Sequence, residues 1–142
     1  MVKFTSIKVR STAEFQLIKI TQDVGKFIAE SGIKDGVAFV ISAHTTTGIM
    51  LNESLECVET DIEEELEKLV PKDAPYAHAH FLPTYGTTGG NSPGHLKSML
   101  TGNHCVLPVK DGRAVLGHAQ DIYFAEFDGL KIRTIYLEVI GE

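Results

Sequence analysis

The chain has 142 residues, 43% of them hydrophobic and 23% charged, and its 13 Lys and Arg against 19 Asp and Glu leave a net charge of −6. A domain of this size buries about 68–70% of the surface its unfolded chain exposes, so it needs neither disulfides nor a structural metal to fold. The acidic balance, without clustered Lys and Arg, excludes the counterion-release footprint of a nucleic-acid binder, and no apolar run approaches the roughly 18 residues of a membrane span.

Met1-Val2-Lys3-Phe4-Thr5 lacks the long apolar segment of a secretory signal, and Cys57 and Cys105 stand apart without CxxC spacing. A single domain over 1–142, cytoplasmic, with no membrane partner, is expected.

Val2 to Arg10 and Glu14 to Ile20 read as strands, with Phe4, Ile7, Val9, Phe15 and Leu17 between polar residues. Gln22 to Ser31 reads as a helix, with Val24, Phe27 and Ile28 at helical spacing and Gly32 free to take a left-handed cap. Gly36 then releases the apolar strand Val37 to Ile41, which delivers His44-Thr45-Thr46-Thr47 at its end, and Gly48 to Asn52 forms another strand. From Ser54 to Leu69 the residues Leu55, Val58, Ile62, Leu66 and Leu69 recur at three and four, which predicts an amphipathic helix with an acidic, solvated face.

Residues 71–91 hold three of the five prolines plus Gly86, Gly89 and Gly90, and read as a long loop, a length usually explained by function or disorder. Ser92-Pro93 predicts an N-cap followed by proline at the first helical position, opening a short helix that Gly102 closes. Strands follow at Cys105 to Val109, Arg113 to Leu116, His118 to Phe127 and Lys131 to Ile140, and Asp111-Gly112 and Asp128-Gly129 suggest tight hairpins. The expected fold class is α+β: one compact domain, antiparallel-rich sheets with flanking helices, and a C-terminal β-meander.

Four of the six histidines, His44, His78, His80 and His95, fall at a strand end, in the long loop and at a helix start. Neutral imidazoles from separate elements are common transition-metal ligands, although no HExxH-type signature is present and ordinary hydrogen-bonded histidines are the alternative. The stretch from Gly89 to Lys97 combines a glycine-rich approach with a helix start, where free amides favour an anion such as phosphate. It contains no P-loop, and a well-capped helix after a loop is the plainer reading. Thr45, Thr46 and Thr47 supply hydroxyls to the same anion or simply suit a strand. Glu53, after Asn52, holds Mg²⁺, acts as a base, or charges the start of the acidic helix. Arg133 either pairs with Glu126 or Asp128 or points into the site.

His44-Thr45-Thr46-Thr47-Gly48-Ile49-Met50-Leu51-Asn52-Glu53, then Asn91-Ser92-Pro93-Gly94-His95-Leu96-Lys97, Val106-Leu107-Pro108-Val109, Gly117-His118-Ala119-Gln120 and Glu126-Phe127-Asp128-Gly129 together resemble the YjbQ family in order and spacing. The resemblance spans most of the chain. It implies a compact α+β homotrimer, often described as a secondary thiamine-phosphate synthase, which joins a pyrimidine diphosphate to a thiazole phosphate with loss of pyrophosphate. Carried over residue by residue, it places catalytic roles on His44, Glu53, His95 and Lys97, and substrate or anion binding on Thr45, Asn91, Ser92, Gln120 and Arg133. The family's loop histidine falls on His78 or His80, with His78 preferred, and a divalent metal (Zn, Mn or Mg) is expected on His44, His78 and His95. The family's usual Gly-Thr-Trp-Gln appears here without its aromatic residue, and its Asp-Gly-Pro-Arg without its proline. The alternatives are a metal-dependent hydrolase or transferase acting on another phosphorylated metabolite, and a non-enzymatic trimeric protein that binds metal or metabolite.

Overall fold

The computed structural model describes residues 1–80 and 90–142. Among these residues, eight strands and four helices run in the order β1 (Val2–Arg10), β2 (Gln16–Lys19), α1 (Thr21–Ser31), β3 (Gly36–Ser42), β4 (Thr47–Glu53), α2 (Glu56–Leu69), α3 (Ala77–His80), α4 (Ser92–Thr101), β5 (His104–Lys110), β6 (Arg113–Ala114), β7 (Gln120–Glu126) and β8 (Ile132–Gly141). They form an α+β single domain with two antiparallel sheets, one ordered β1-β8-β3-β5-β6 and the other β2-β7-β4. No helix among the described residues is long and apolar enough to cross a membrane.

Alternation sets which face each strand buries. On β8, Arg133, Ile135, Leu137 and Val139 are buried while Ile132, Tyr136 and Ile140 are exposed. The inward residues of β3 and β8 meet Val24 and Ile28 of α1 and Ile49, Ile122 and Phe124 of the second sheet in the main core. β7 is buried on both faces. Ile122 and Phe124 enter that core, whereas Ala125 and the following Phe127 join Leu66 and Ile62 of α2, with Phe15 and Leu17, in a smaller cluster. Full burial of one such large apolar side chain contributes about 1.5–3 kcal/mol, so this second cluster anchors the acidic helix to the sheet.

Four expectations need correction. The C-terminal third is not a continuous meander: β5 and β6 form a hairpin through Asp111 and Gly112, both at positive φ (53° and 77°), but β7 and β8 belong to different sheets. Asp128-Gly129 is therefore a crossing between sheets rather than a hairpin. A Cβ on Gly129 would lie 2.0 Å from the Ala13 carbonyl oxygen, so glycine serves close backbone approach there. At α4 the N-cap is Asn91, with Ser92 as the first helical residue, and no side chain caps it. Within the expected loop, Ala77–His80 forms one helical turn. The side chain of His80 and all of residues 81–89 lie outside the described residues.

Candidate functional site

The end of β7 carries a carboxylate buried in the interior. Glu126 is fully buried, and Arg133, 4% exposed, donates from Nε to its Oε1 at 2.8 Å and from Nη2 to its Oε2 at 2.6 Å. Nη2 also donates to Thr46 Oγ1 at 2.9 Å, and the Ser11 hydroxyl donates to Glu126 Oε1 at 2.8 Å. Burial pushes the Glu126 carboxyl up, but Arg133, the Asp128 amide and Ser11 together hold it below its ordinary value.

The Asp128 amide bonds Glu126 Oε2 at 3.0 Å, which sets the Asp128 carboxylate at the head of a second chain. Asn91 Nδ2 donates to Asp128 Oδ2 at 2.9 Å, so Asn91 Oδ1 is the acceptor facing His78 Nε2, also at 2.9 Å. That direction requires His78 to carry a proton on Nε2 and turns Nδ1 into its acceptor in the neutral ring. The His95 ring stands 5.5 Å away, edge to face. Packing brings these rings together. A Cβ on Gly94 would sit 3.2 Å from the Phe127 carbonyl oxygen and 3.3 Å from Thr46 Cβ, so the first turn of α4 rests directly on the residues beside the buried pair.

Beside Asn91 opens a cleft of about 580 Å³ between the β1–β2 connection, α2 and the start of α4. Phe15 and Phe127, whose rings are 5.7 Å apart, contribute its aromatic surface. Glu14, Glu63, Glu67 and Asp128 line it against Lys72 and Lys97. Lys97, 9% exposed, donates to Glu67 Oε2 at 3.1 Å and lies 5.8 Å from the centre of the Phe15 ring. The Lys97 ammonium and the Lys72 backbone N–H hold the Glu67 carboxyl below its ordinary range. Lys72 Nζ bonds Glu14 at 3.0 Å across the cleft, so both lysines are paired within an acid-rich wall.

The structure thus brings His78, Asn91, His95 and Lys97 to one region and sets others apart. His44 Nε2 accepts the Thr134 N–H at 2.7 Å, which leaves the neutral ring's proton on Nδ1 and no lone pair to spare. Burial and then the nearby Arg133 charge lower its pKa. Thr45 is exposed. Glu53 and Gln120 pair in register at the far end of β4 and β7, outside the cleft lining, and Gln120 Oε1 accepts the Gly117 N–H. Arg133 is committed to Glu126 and Thr46. At the start of α4, Pro93 has no N–H, and the Gly94 and His95 amides donate to the Asn91 carbonyl. Only the Ser92 amide among these is without a partner from the described residues.

Among the described residues, no group of three or more His, Cys, Asp or Glu side chains converges as a metal cage. The helical pattern predicts Glu63 and Glu67 on a solvated face, yet both line the cleft. Glu59, Glu63 and Glu67 recur every four residues beside the Ile62–Leu66 seam, and that spacing was the available signal. Phe15 looked like a strand residue, and only its packing on Phe127 reveals it as cleft wall.

A family model described as UPF0047 protein YjbQ-like matches residues 5–142. A UPF0047 protein of Methanocaldococcus jannaschii is 37% identical over 136 residues, 95% of this chain and 92% of its own. The UPF0047 protein YugU of Bacillus subtilis is 34% identical over 136 residues, 96% of this chain and 98% of its own. Among solved structures, a YbjQ-like protein of unknown function from Sulfolobus solfataricus superposes with a TM-score of 0.92 at 30% identity, covering 100% of this chain and 99% of its own. An uncharacterized conserved protein of the yjbq/upf0047 family from Clostridium acetobutylicum gives 0.87 at 36% identity, covering 96% and 99%.

Proposed function

The chain belongs to the YjbQ-like UPF0047 family, whose function is largely unknown, and within it we propose a transferase of the secondary thiamine-phosphate synthase type. The reaction joins a pyrimidine diphosphate to a thiazole phosphate. The observation that carries this reading is the cleft itself, aromatic on its floor, acid-rich on its wall, and bounded by Asn91, behind which the His78–His95 pair stands.

In this reaction the bond between the pyrimidine methylene carbon and the diphosphate oxygen breaks, and the diphosphate keeps the electron pair. The lone pair of the thiazole nitrogen forms the new carbon–nitrogen bond, leaving that nitrogen quaternary and cationic. Positive charge therefore develops on the methylene and the ring. The carboxylates of Glu14, Glu63, Glu67 and Asp128 and the faces of Phe15 and Phe127 stabilise it where they stand. Lys72 and Lys97, exchanging their carboxylate partners for phosphate oxygens, line the cleft for the departing diphosphate, and a ring N–H of His78 or His95, behind Asn91, supplies a proton to it.

The donor set suits a magnesium ion that arrives with the diphosphate. Glu67 and Asp128 already bond to Lys97 and Lys131, and magnesium characteristically takes one or two carboxylates plus substrate phosphate oxygens rather than an all-protein cage. Such an ion would supply charge neutralisation for the leaving diphosphate. A zinc or manganese ion on three imidazoles would instead need His44 released from Thr134.

The same reading includes a homotrimer. Paired residues place Val2, Ile140, Val37 and Pro108 in one row across the outer face of the five-stranded sheet, and Phe4, Glu138, Phe39 and Val106 in the next, an apolar face with one carboxylate in it. No element among the described residues covers this face, and Phe4, 61% exposed, packs against Tyr136. An apolar sheet face of that kind is a surface for further copies of the chain.

Purified protein incubated with both substrates and magnesium should yield thiamine phosphate and pyrophosphate in equal amounts. Phosphate or pyrophosphate release that does not depend on the thiazole substrate would replace this reading with the hydrolase. Binding without turnover would leave a metabolite-binding protein.

A further inference from the structure

We propose that the cleft between α1 and the β5–β6 hairpin is a second small-molecule site, for a compact organic anion with an apolar body and one carboxylate or phosphate group. This cleft, of about 390 Å³, falls within the size range of small-molecule sites and shares no lining residue with the acidic one. Its floor is apolar, built from Gly25 and Ala29 one turn apart on α1 together with Ala114, Leu116 and Ile122. A Cβ on Gly25 would meet nothing within 4 Å. Packing therefore does not demand a glycine in the middle of this helix, where it disfavours helix formation, and its effect is to keep the cleft deep.

Lys34 and Arg113 stand on the rim, on two segments tied together by the bond from the Gly112 N–H to the Lys34 carbonyl at 2.9 Å. Neither makes an ion pair among the described residues. The neighbouring acceptors are engaged. Asp35 binds Lys110 at 2.9 Å, Asp121 accepts the Thr21 hydroxyl, and the Glu142 carbonyl oxygen accepts the Lys34 and Asp35 amides. The lining charge is thus two cations against Asp111 alone, on a chain of net charge −6 whose other cleft has four carboxylates to two lysines. A free organic anion is better matched by this second cleft, because the carboxylates of the first call for an anion that arrives with its own cation, as the magnesium-bound diphosphate does. The apolar floor accepts the ligand body, and the two cations fix its head group.

The test is an amide NMR titration of the intact protein with octanoate, phenyl phosphate and, as an uncharged control, octanol. Saturable shifts confined to residues 21–29 and 111–116 are expected with at least one of the two anions, and which one saturates identifies the head group. The double variant Lys34→Met, Arg113→Met should weaken binding about tenfold or more, in keeping with loss of charge-assisted hydrogen bonds. Gly25→Leu, which has room to fold, should abolish binding by filling the cleft. Failure of both anions to saturate overturns the site. Octanol binding as tightly as octanoate, or undiminished binding to the double variant, overturns the anion assignment.

Discussion

Arg133 on β8 and Glu126 on β7 join the two sheets through paired hydrogen bonds of 2.8 and 2.6 Å, with both side chains withdrawn from water. Their partners extend the connection to Ser11, Thr46 and the Asp128 amide. Removing one charge strands the other in the interior, so Arg133→Met should cost about 3–5 kcal/mol, read as a lower midpoint in urea. The double variant Arg133→Met, Glu126→Gln should be less destabilised than the sum of the two single variants.

The same pair sets an acid limit. Glu126 titrates below its ordinary value of 4.5 in the folded protein, so the unfolded chain takes up its proton first as pH falls. Its contribution is complete above about pH 4.5 and is lost as pH falls through the folded-state value. Glu126→Gln should flatten that part of the stability profile, measured by urea unfolding between pH 6 and pH 3.

His44 behaves in the opposite chemical sense with the same pH direction. Burial and Arg133 disfavour its imidazolium, and protonating Nε2 would abolish the bond accepted from Thr134. The unfolded chain therefore binds the proton first, and stability contributed by neutral His44 is complete above its ordinary value of 6.5 and declines below it. Nitrogen-15 NMR should find the neutral ring protonated on Nδ1 and its titration midpoint below 6.5.

Much of the secondary structure is legible locally. Val24 and Ile28 at helical spacing followed by Gly32, at φ 77°, specify α1 and its end. Asp111-Gly112 specifies a real hairpin because its flanking strands pair with each other. Asp128-Gly129 has the same chemistry and a different outcome, because Glu126 and Ile132 belong to different sheets, a non-local fact that no dipeptide encodes. The site divides in the same way. His95 and Asn91 announce themselves at a helix start, but whether Arg133 faces a ligand or Glu126, and whether Glu67 faces solvent or a cleft, depends on residues far away in the chain. His44 is at the strand end where its motif placed it, and its bond to Thr134 is visible only in the fold.

The two cysteines should separate by reactivity. Burial pushes the Cys105 thiol up to about 11, whereas Cys57 is exposed on α2. A thiol reagent at pH 8 should modify one cysteine rapidly and the second only on unfolding, and the Cys57→Ser variant should lose the fast phase.

Gly25→Ala should raise stability by about 0.5–1 kcal/mol, because alanine is the better helix former and the added methyl meets no atom. A lower melting temperature would show that the backbone at Gly25 is constrained in a way its surroundings do not explain.

The most direct measurement of the central claim is thiamine phosphate formation by the wild type and by His78→Ala, His95→Ala and Glu53→Ala, all under the same magnesium and substrate concentrations. Both histidines belong to the region beside the cleft and Glu53 does not line it. The account predicts a loss of about 10²–10⁴-fold for at least one of the two histidine variants, the range for removing a proton-transferring group, with unchanged melting temperature. Glu53→Ala should retain wild-type turnover. Equal turnover in all four proteins, or a loss confined to Glu53→Ala, would contradict it.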